Sequence, residues 1–188
     1  MNTKQVQEHL IELGFGELLR PYGADGKIGK KTRSAVKEFQ RAYNKLFRKN
    51  IYEDGIPGKQ TYDALRYWKR MAGQVGTNHF SIREFRCKGS GTMLKNGMDN
   101  DLLTKLEQLR YRLGGKAIII NSGYRSPNHN KKVGGATNSQ HLYGKAVDIV
   151  VRGVKPSVVY READKLFNGV GKYNTFTHVD TRSWKARF

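Results

Sequence analysis

Apolar residues recur three and four positions apart through the first third of the chain, which is the spacing of a helix that buries one face. Val6, Leu10 and Leu13 form one such face, ending near Gly14; Ala35, Val36, Phe39, Tyr43 and Leu46 form a second; Leu65, Trp68 and Ala72 form a third. The pattern predicts a small three-helix bundle. The same turn precedes the second and third helices: Asp25-Gly26-Lys27-Ile28-Gly29-Lys30-Lys31-Thr32 and Asp54-Gly55-Ile56-Pro57-Gly58-Lys59-Gln60-Thr61 share the spacing D-G-x-x-G-x-x-T, 29 residues apart. In each copy Asp-Gly marks a tight turn, where glycine supplies a positive φ, and threonine stands at or near a helix start.

From Arg66 to Asn78 the helical pattern fades into Ala72-Gly73-Gln74-Val75-Gly76, which reads as a short linker. A second unit begins at His79-Phe80-Ser81. Asp99 or Asn100 caps a helix whose Leu102, Leu103, Leu106, Leu109 and Leu113 share a face, and Gly114-Gly115 ends it. A strand over 117–121, a Gly/Asn-rich loop to Asn138, a strand over 145–151, a helix opened by Pro156 and a strand over 176–180 follow. In that helix Val159, Ala163, Leu166 and Phe167 face inward. The expected class is α+β: residues 1–70 a helical bundle, 71–78 a linker, and 79–188 an α+β domain with a central, mostly antiparallel sheet.

Composition narrows what such a chain does. Its 188 residues, 37% of them hydrophobic, suffice for two small cores. No apolar run approaches the ~20 residues of a membrane span, and the start MNTKQVQEHL lacks the apolar centre of a secretory signal. The chain is therefore expected to be made in the cytoplasm without its own export signal and to work as a monomer. A lone Cys87 excludes an internal disulfide and a cysteine-based zinc knuckle, so any metal must be held by His and Asp. The formal charge of +19 is spread over both halves, +7 up to residue 78 and +12 beyond. Such a surface attracts polyanions, whether nucleic acid, anionic lipid or the polymers of a bacterial envelope.

One position demands a partner. Asp148 stands between Val147 and Ile149 in an apolar strand, where an unpaired carboxylate costs several kcal/mol or more. His141 precedes it by seven residues, across a Gly144 that lets the chain turn. His178 lies in Thr177-His178-Val179-Asp180, where strand alternation puts it on the same face as Asp180. If the two strands pair, two imidazoles and a carboxylate converge. That set, with a fourth position open to water, is the pattern of a catalytic zinc site, and non-haem iron uses it too.

Two resemblances sharpen this. The repeated turns and their helices, residues 3 to 68, resemble the peptidoglycan-binding domain of many cell-wall hydrolases. The run SGYRSPNHNKKVGGATNSQHLYGKAVDIVV (122–151), followed by HVDTR (178–182), resembles the M15 family of zinc peptidases, the D-alanyl-D-alanine carboxypeptidase and endolysin group; this match covers roughly residues 79 to 183. The resemblance implies one zinc ion bound by His141, Asp148 and His178, with Arg125 facing the substrate, holding a carboxylate or an oxyanion. Several members carry Asp or Glu three residues before the second zinc histidine, where this chain has Thr175. Asp180 is then the nearest acidic candidate for a general base, against a supporting role in orienting a ligand. His129 reads as loop chemistry. The expected protein is a modular peptidoglycan hydrolase, a phage endolysin released to the wall, cutting the stem peptide or cross-link. A wall-binding protein with an inactive peptidase fold and a basic nucleic-acid-binding protein are the alternatives.

Overall fold

The computed structural model describes residues 1–188. Helix α1, Thr3–Glu12, starts on a reciprocal cap: the Asn2 side chain accepts from the Gln5 amide, and the Gln5 side chain accepts from that of Asn2. Helices α2, Lys30–Phe47, and α3, Lys59–Val75, follow the two repeated turns. Val6, Leu10 and Leu13 meet Phe39, Leu65 and Trp68 in a core with Phe15 and Leu19. Phe15 packs edge-on to Phe39 and Trp68, both at 5.7 Å, geometries worth roughly 1 kcal/mol each beyond burial. Leu46, expected inside, is 43% exposed, and its neighbour Phe47 packs against Tyr43 and Trp68 instead.

Both turns are held by a buried glutamine. Gln7 of α1 donates to Asp25 Oδ1, Lys27 O and Thr32 Oγ1 and accepts from the Gly26 amide. Gln40 of α2 does the same for Asp54 Oδ1, Ile56 O, Thr61 Oγ1 and the Gly55 amide. The duplication is therefore one of hydrogen bonds as well as letters, and its central residue in each copy lies outside the repeated octapeptide.

The expected linker is partly helix. Helix α3 continues to Val75, and Gly76, at φ +94°, ends it. Gly73 is there for close approach: its carbonyl accepts from the Met98 amide at 2.8 Å, and a Cβ would lie 1.9 Å from Met98 O. The small residues that break the apolar period mark a contact, not a flexible joint. Next to it, the buried Glu107 accepts from Thr77 Oγ1, the His79 amide and His79 Nδ1, while Asn78 bonds the carbonyls of Leu13 and Gly14. Arg110 pairs with Glu17, and the Arg20 guanidinium lies 4.5 Å over the Tyr111 ring. These contacts join the bundle to the second unit.

There α4, Asn100–Arg112, is capped by Asp99 and buries Leu102, Leu103, Leu106 and Leu109 completely. Its apolar face and that of α6, Pro156–Ala163, share a core with a five-stranded sheet. The strands are β1 Ile118–Ser122, β2 Ala146–Val151, β3 Gly169–Lys172, β4 Thr177–Asp180 and β5 Ala186–Arg187, in the order β1-β2-β4-β3-β5. Only the β3–β5 pair is parallel. The α+β reading with a mostly antiparallel sheet holds. Strands β3 and β5 and the short helix α5, Pro127–Lys132, were not expected. No helix is long and apolar enough to cross a membrane.

Replacing Gln40 with Leu strands the buried Gly55 amide and takes away the donor to Thr61 Oγ1, which keeps only its bond to the Ile56 carbonyl. The expected loss is about 2 kcal/mol, read by urea unfolding followed through tryptophan fluorescence, with Gln7→Leu giving a similar loss.

Candidate metal centre

Pairing of β2 with β4 sets the site. The antiparallel register places Asp148 directly opposite His178. His141 enters from a short 3-10 turn, Gln140–Tyr143, closed by Gly144 at φ +67°. A side chain at Gly144 would be strained there and would meet Leu94 at 2.7 Å, so glycine is what lets the turn lead straight into β2.

Ring partners fix the imidazoles. His141 Nδ1 lies 2.7 Å from the Gly123 carbonyl, which can only accept, so Nδ1 carries the proton and Nε2 is left as a lone pair. His178 Nε2 lies 3.0 Å from Asp180 Oδ2, which turns Nδ1 inward in the same way. The three inward atoms crowd one point: His178 Nδ1 is 2.8 Å from Asp148 Oδ1, and His141 Nε2 is 3.3 Å from each of them. All three residues are buried. Two nitrogen lone pairs and an anionic oxygen facing one another need a cation or a proton between them, and this donor set suits zinc. The residues fit the metal that the sequence implies.

Electrostatics agree. Burial alone would raise the Asp148 carboxyl, but hydrogen bonds and charge from His141 and His178 hold it well below the usual carboxylate range. Burial pushes His141 down. Burial pushes His178 the same way, yet its position between Asp148 and Asp180 outweighs that and raises it.

The site opens into a cavity of about 500 Å³. One wall is the Val133–Ala136 loop with Ser139 and Gln140; the other is aromatic, with Phe176 stacked 4.3 Å from Tyr173 and Phe188 lying 5.4 Å from His178. Arg125 and Arg182 add positive charge, and Asp148 is the single carboxylate on the wall.

The other candidate residues divide between the cavity wall and the buried layer behind it. Asp180 does not reach the cavity: it is fully buried, and its oxygens accept from His178 and from the Nε, Nη2 and backbone amide of Arg182. This geometry is that of a carboxylate orienting a ligand histidine, not of a base facing water. Thr175 is exposed and off the cavity wall. Arg125 lines the cavity as expected, but its Nη2 donates to Asp148 Oδ2 and its Nε to Ser122 Oγ at 2.9 Å, so part of its work is to neutralise that carboxylate. His129 lies on α5, away from the three.

Other contributors went unread. The Gly123 carbonyl orients His141, and Gly123 is tight against Phe85, whose carbonyl a Cβ would approach to 2.6 Å. At Gly169 a Cβ would fall 2.2 Å from both Asp180 oxygens, so a glycine on β3 makes room for that carboxylate. Ser-Gly ahead of Tyr-Arg was a visible signal for the first; nothing local signalled the second.

Residues 78–180 match the family model described as Peptidase M15, and residues 2–65 match a putative peptidoglycan binding domain. The chain is 32% identical over 179 residues to the zinc D-Ala-D-Ala carboxypeptidase of Streptomyces albus G, covering 86% of this chain and 67% of that protein. It is 40% identical over 102 residues to the probable peptidoglycan L,D-endopeptidase MepK of Haemophilus influenzae, covering 47% of this chain and 55% of that protein. A third likeness, 43% over 68 residues, covers 34% of this chain and 6% of the type VI secretion system spike protein VgrG3 of Vibrio cholerae.

Because His178 holds a proton above the ordinary histidine range, a metal must displace it. Zinc affinity is expected to rise with pH through the raised His178 range and to fall as pH drops through it, measured by chelating-dye competition across that range.

Proposed function

Since the chain belongs to the M15 peptidase family and carries a peptidoglycan-binding domain, we propose that it cleaves an amide bond in the stem peptide or cross-link of peptidoglycan, with His141, Asp148 and His178 holding its zinc. The observation that carries this reading is the convergence of those three side chains at the floor of an open, cationic cavity. The bundle holds the wall and the α+β unit cuts it, with the division at Gly76.

When bound, zinc polarises the scissile carbonyl and lowers the pKa of a water towards neutrality, so the reaction asks for no strong protein base. The chain's own groups do the rest. Asp148 supplies the negative ligand and Arg125 tempers its charge through Oδ2. Arg125 has five N–H donors and spends two on Asp148 and Ser122; the remainder serve a substrate carboxylate or the developing oxyanion. Asp180, clamped by Arg182, holds His178 in its ligating tautomer. The aromatic wall and the small-residue loop between them leave a slot for an extended peptide. The +19 surface concentrates the enzyme on an anionic wall, which suits a lytic role of the endolysin kind.

A second reading, a wall-binding protein without turnover, has one observation behind it: no carboxylate besides Asp148 lines the cavity. Purified peptidoglycan separates the two. Cleavage is expected to release fragments with new amino termini by mass spectrometry, to stop on chelation and to return with zinc. Binding with no new termini at any zinc concentration selects the second reading.

His141→Ala and His178→Ala are each expected to abolish turnover and zinc binding. Asp180→Asn is expected to weaken zinc about 10- to 100-fold and to regain activity in excess zinc. An inactive Asp180→Asn enzyme with full zinc occupancy returns Asp180 to the role of base.

A further inference from the structure

The inward side of each D-G-x-x-G-x-x-T turn is taken up by its glutamine, and the outward side is duplicated too. Each turn borders a recess, about 430 Å³ at the first copy and about 180 Å³ at the second. Every residue around the smaller one has a counterpart around the larger: beyond the shared framework, Tyr52 answers Tyr22 and Lys59 answers Lys30. The tyrosines correspond in space although their distance in sequence from the turn differs by one residue.

Those tyrosines are the two most exposed large apolar side chains of the chain, 68% for Tyr22 and 75% for Tyr52. Ile56, on the wall of the second recess, is also open at 51%, where the first recess has Lys27. An exposed aromatic residue is unremarkable alone. Two of them, each beside a lysine on a recess built on the same framework, are not accounted for by the packing of the bundle, which the glutamines and the aromatic core already explain.

The two recesses are neighbours. Thr32 of the first framework and Gln40 of the second both lie on α2, so both recesses border one helix. The second turn also docks on the start of α2, where a Cβ at Gly55 would lie 2.8 Å from Arg33 O.

We propose that the two turns are related subsites for neighbouring units of one glycan strand, with a sugar ring lying on Tyr22 or Tyr52 and a carboxylate of the attached stem peptide meeting Lys30, or meeting Lys59 in exchange for its exposed partner Asp63. A phenol ring offers an apolar face to the C–H side of a saturated sugar and a polar edge to its hydroxyls, and a lysine ammonium meets a carboxylate as a compact point charge. Two such sites on a rigid bundle turn the second contact into an intramolecular one, so weak individual grips add up to firm retention. The proposal rests on the reading that peptidoglycan is the polymer bound and says where and how.

The test uses the full chain stripped of zinc, sedimented with purified peptidoglycan freed of covalently attached anionic polymers, so that general charge attraction does not carry the binding. Tyr22→Ala and Tyr52→Ala are each expected to weaken binding about tenfold, and the double variant to weaken it further than either. Tyr22→Phe and Tyr52→Phe should retain most of it. With zinc restored, all of these variants should cleave a soluble stem peptide as the parent does; absence of cleavage by the parent itself counts against the peptidase reading and leaves the subsites standing. A double alanine variant that sediments like the parent overturns the proposal, and so does a loss confined to one of the two tyrosines.

Discussion

A carboxylate inside a strand is the constraint on which the catalytic half depends. Asp148 sits between the buried side chains of Val147 and Ile149, and an anion there is tolerable only if cations or strong donors meet it. The fold delivers them from three directions: His178 across the β2–β4 pair, His141 from the turn before β2, and Arg125 from the loop after β1. Each delivery has its own backbone requirement, met by Gly144 at the turn and by Gly123 against Phe85. The three inward ligand atoms are thus over-determined by packing, which is what a preorganised metal site requires.

Support extends outward in shells. His178 is oriented by Asp180, Asp180 is clamped by Arg182, and β3 presents a glycine where any side chain would strike that carboxylate. Burial keeps Asp180 against His178 and Arg182 and off the cavity wall. Burial alone would raise its carboxyl, but His178 and Arg182 keep it ionised, and none of its oxygens faces the cavity. Behind the sheet, the leucines of α4 and the apolar face of α6 hold the strands in register.

The bundle follows a similar logic at lower charge. A buried glutamine is acceptable because each turn gives it three acceptors and a donor, and the turn is acceptable because the glutamine satisfies it. Two copies of one such device give the wall-binding unit two similar outer faces. The Glu107 network and the Arg20–Tyr111 contact fix this unit against the cleft-bearing one.

Much was legible from local pattern. The helical faces of α1 to α4, the duplicated turns, β2 and the anomaly of Asp148 follow from periodicity and from the cost of burying charge, both written residue by residue. What failed was whatever depended on a contact between distant segments. Gly73 looked like a linker because its reason, the carbonyl of Met98, lies across the fold. Leu46 and Phe47 are adjacent, and only the packing of Tyr43 and Trp68 chose between them. Gly169-Val170-Gly171 lacks the side chains that announce a strand, because Asp180 and Phe188 fill that space. The same limit applies to Asp180: strand alternation put it beside His178, but whether a carboxylate faces water or a buried arginine is set by the neighbours that close over it. Residue type and spacing determined which groups could meet; the tertiary structure alone decided which way each one points, because direction is fixed by partners that sequence distance does not encode.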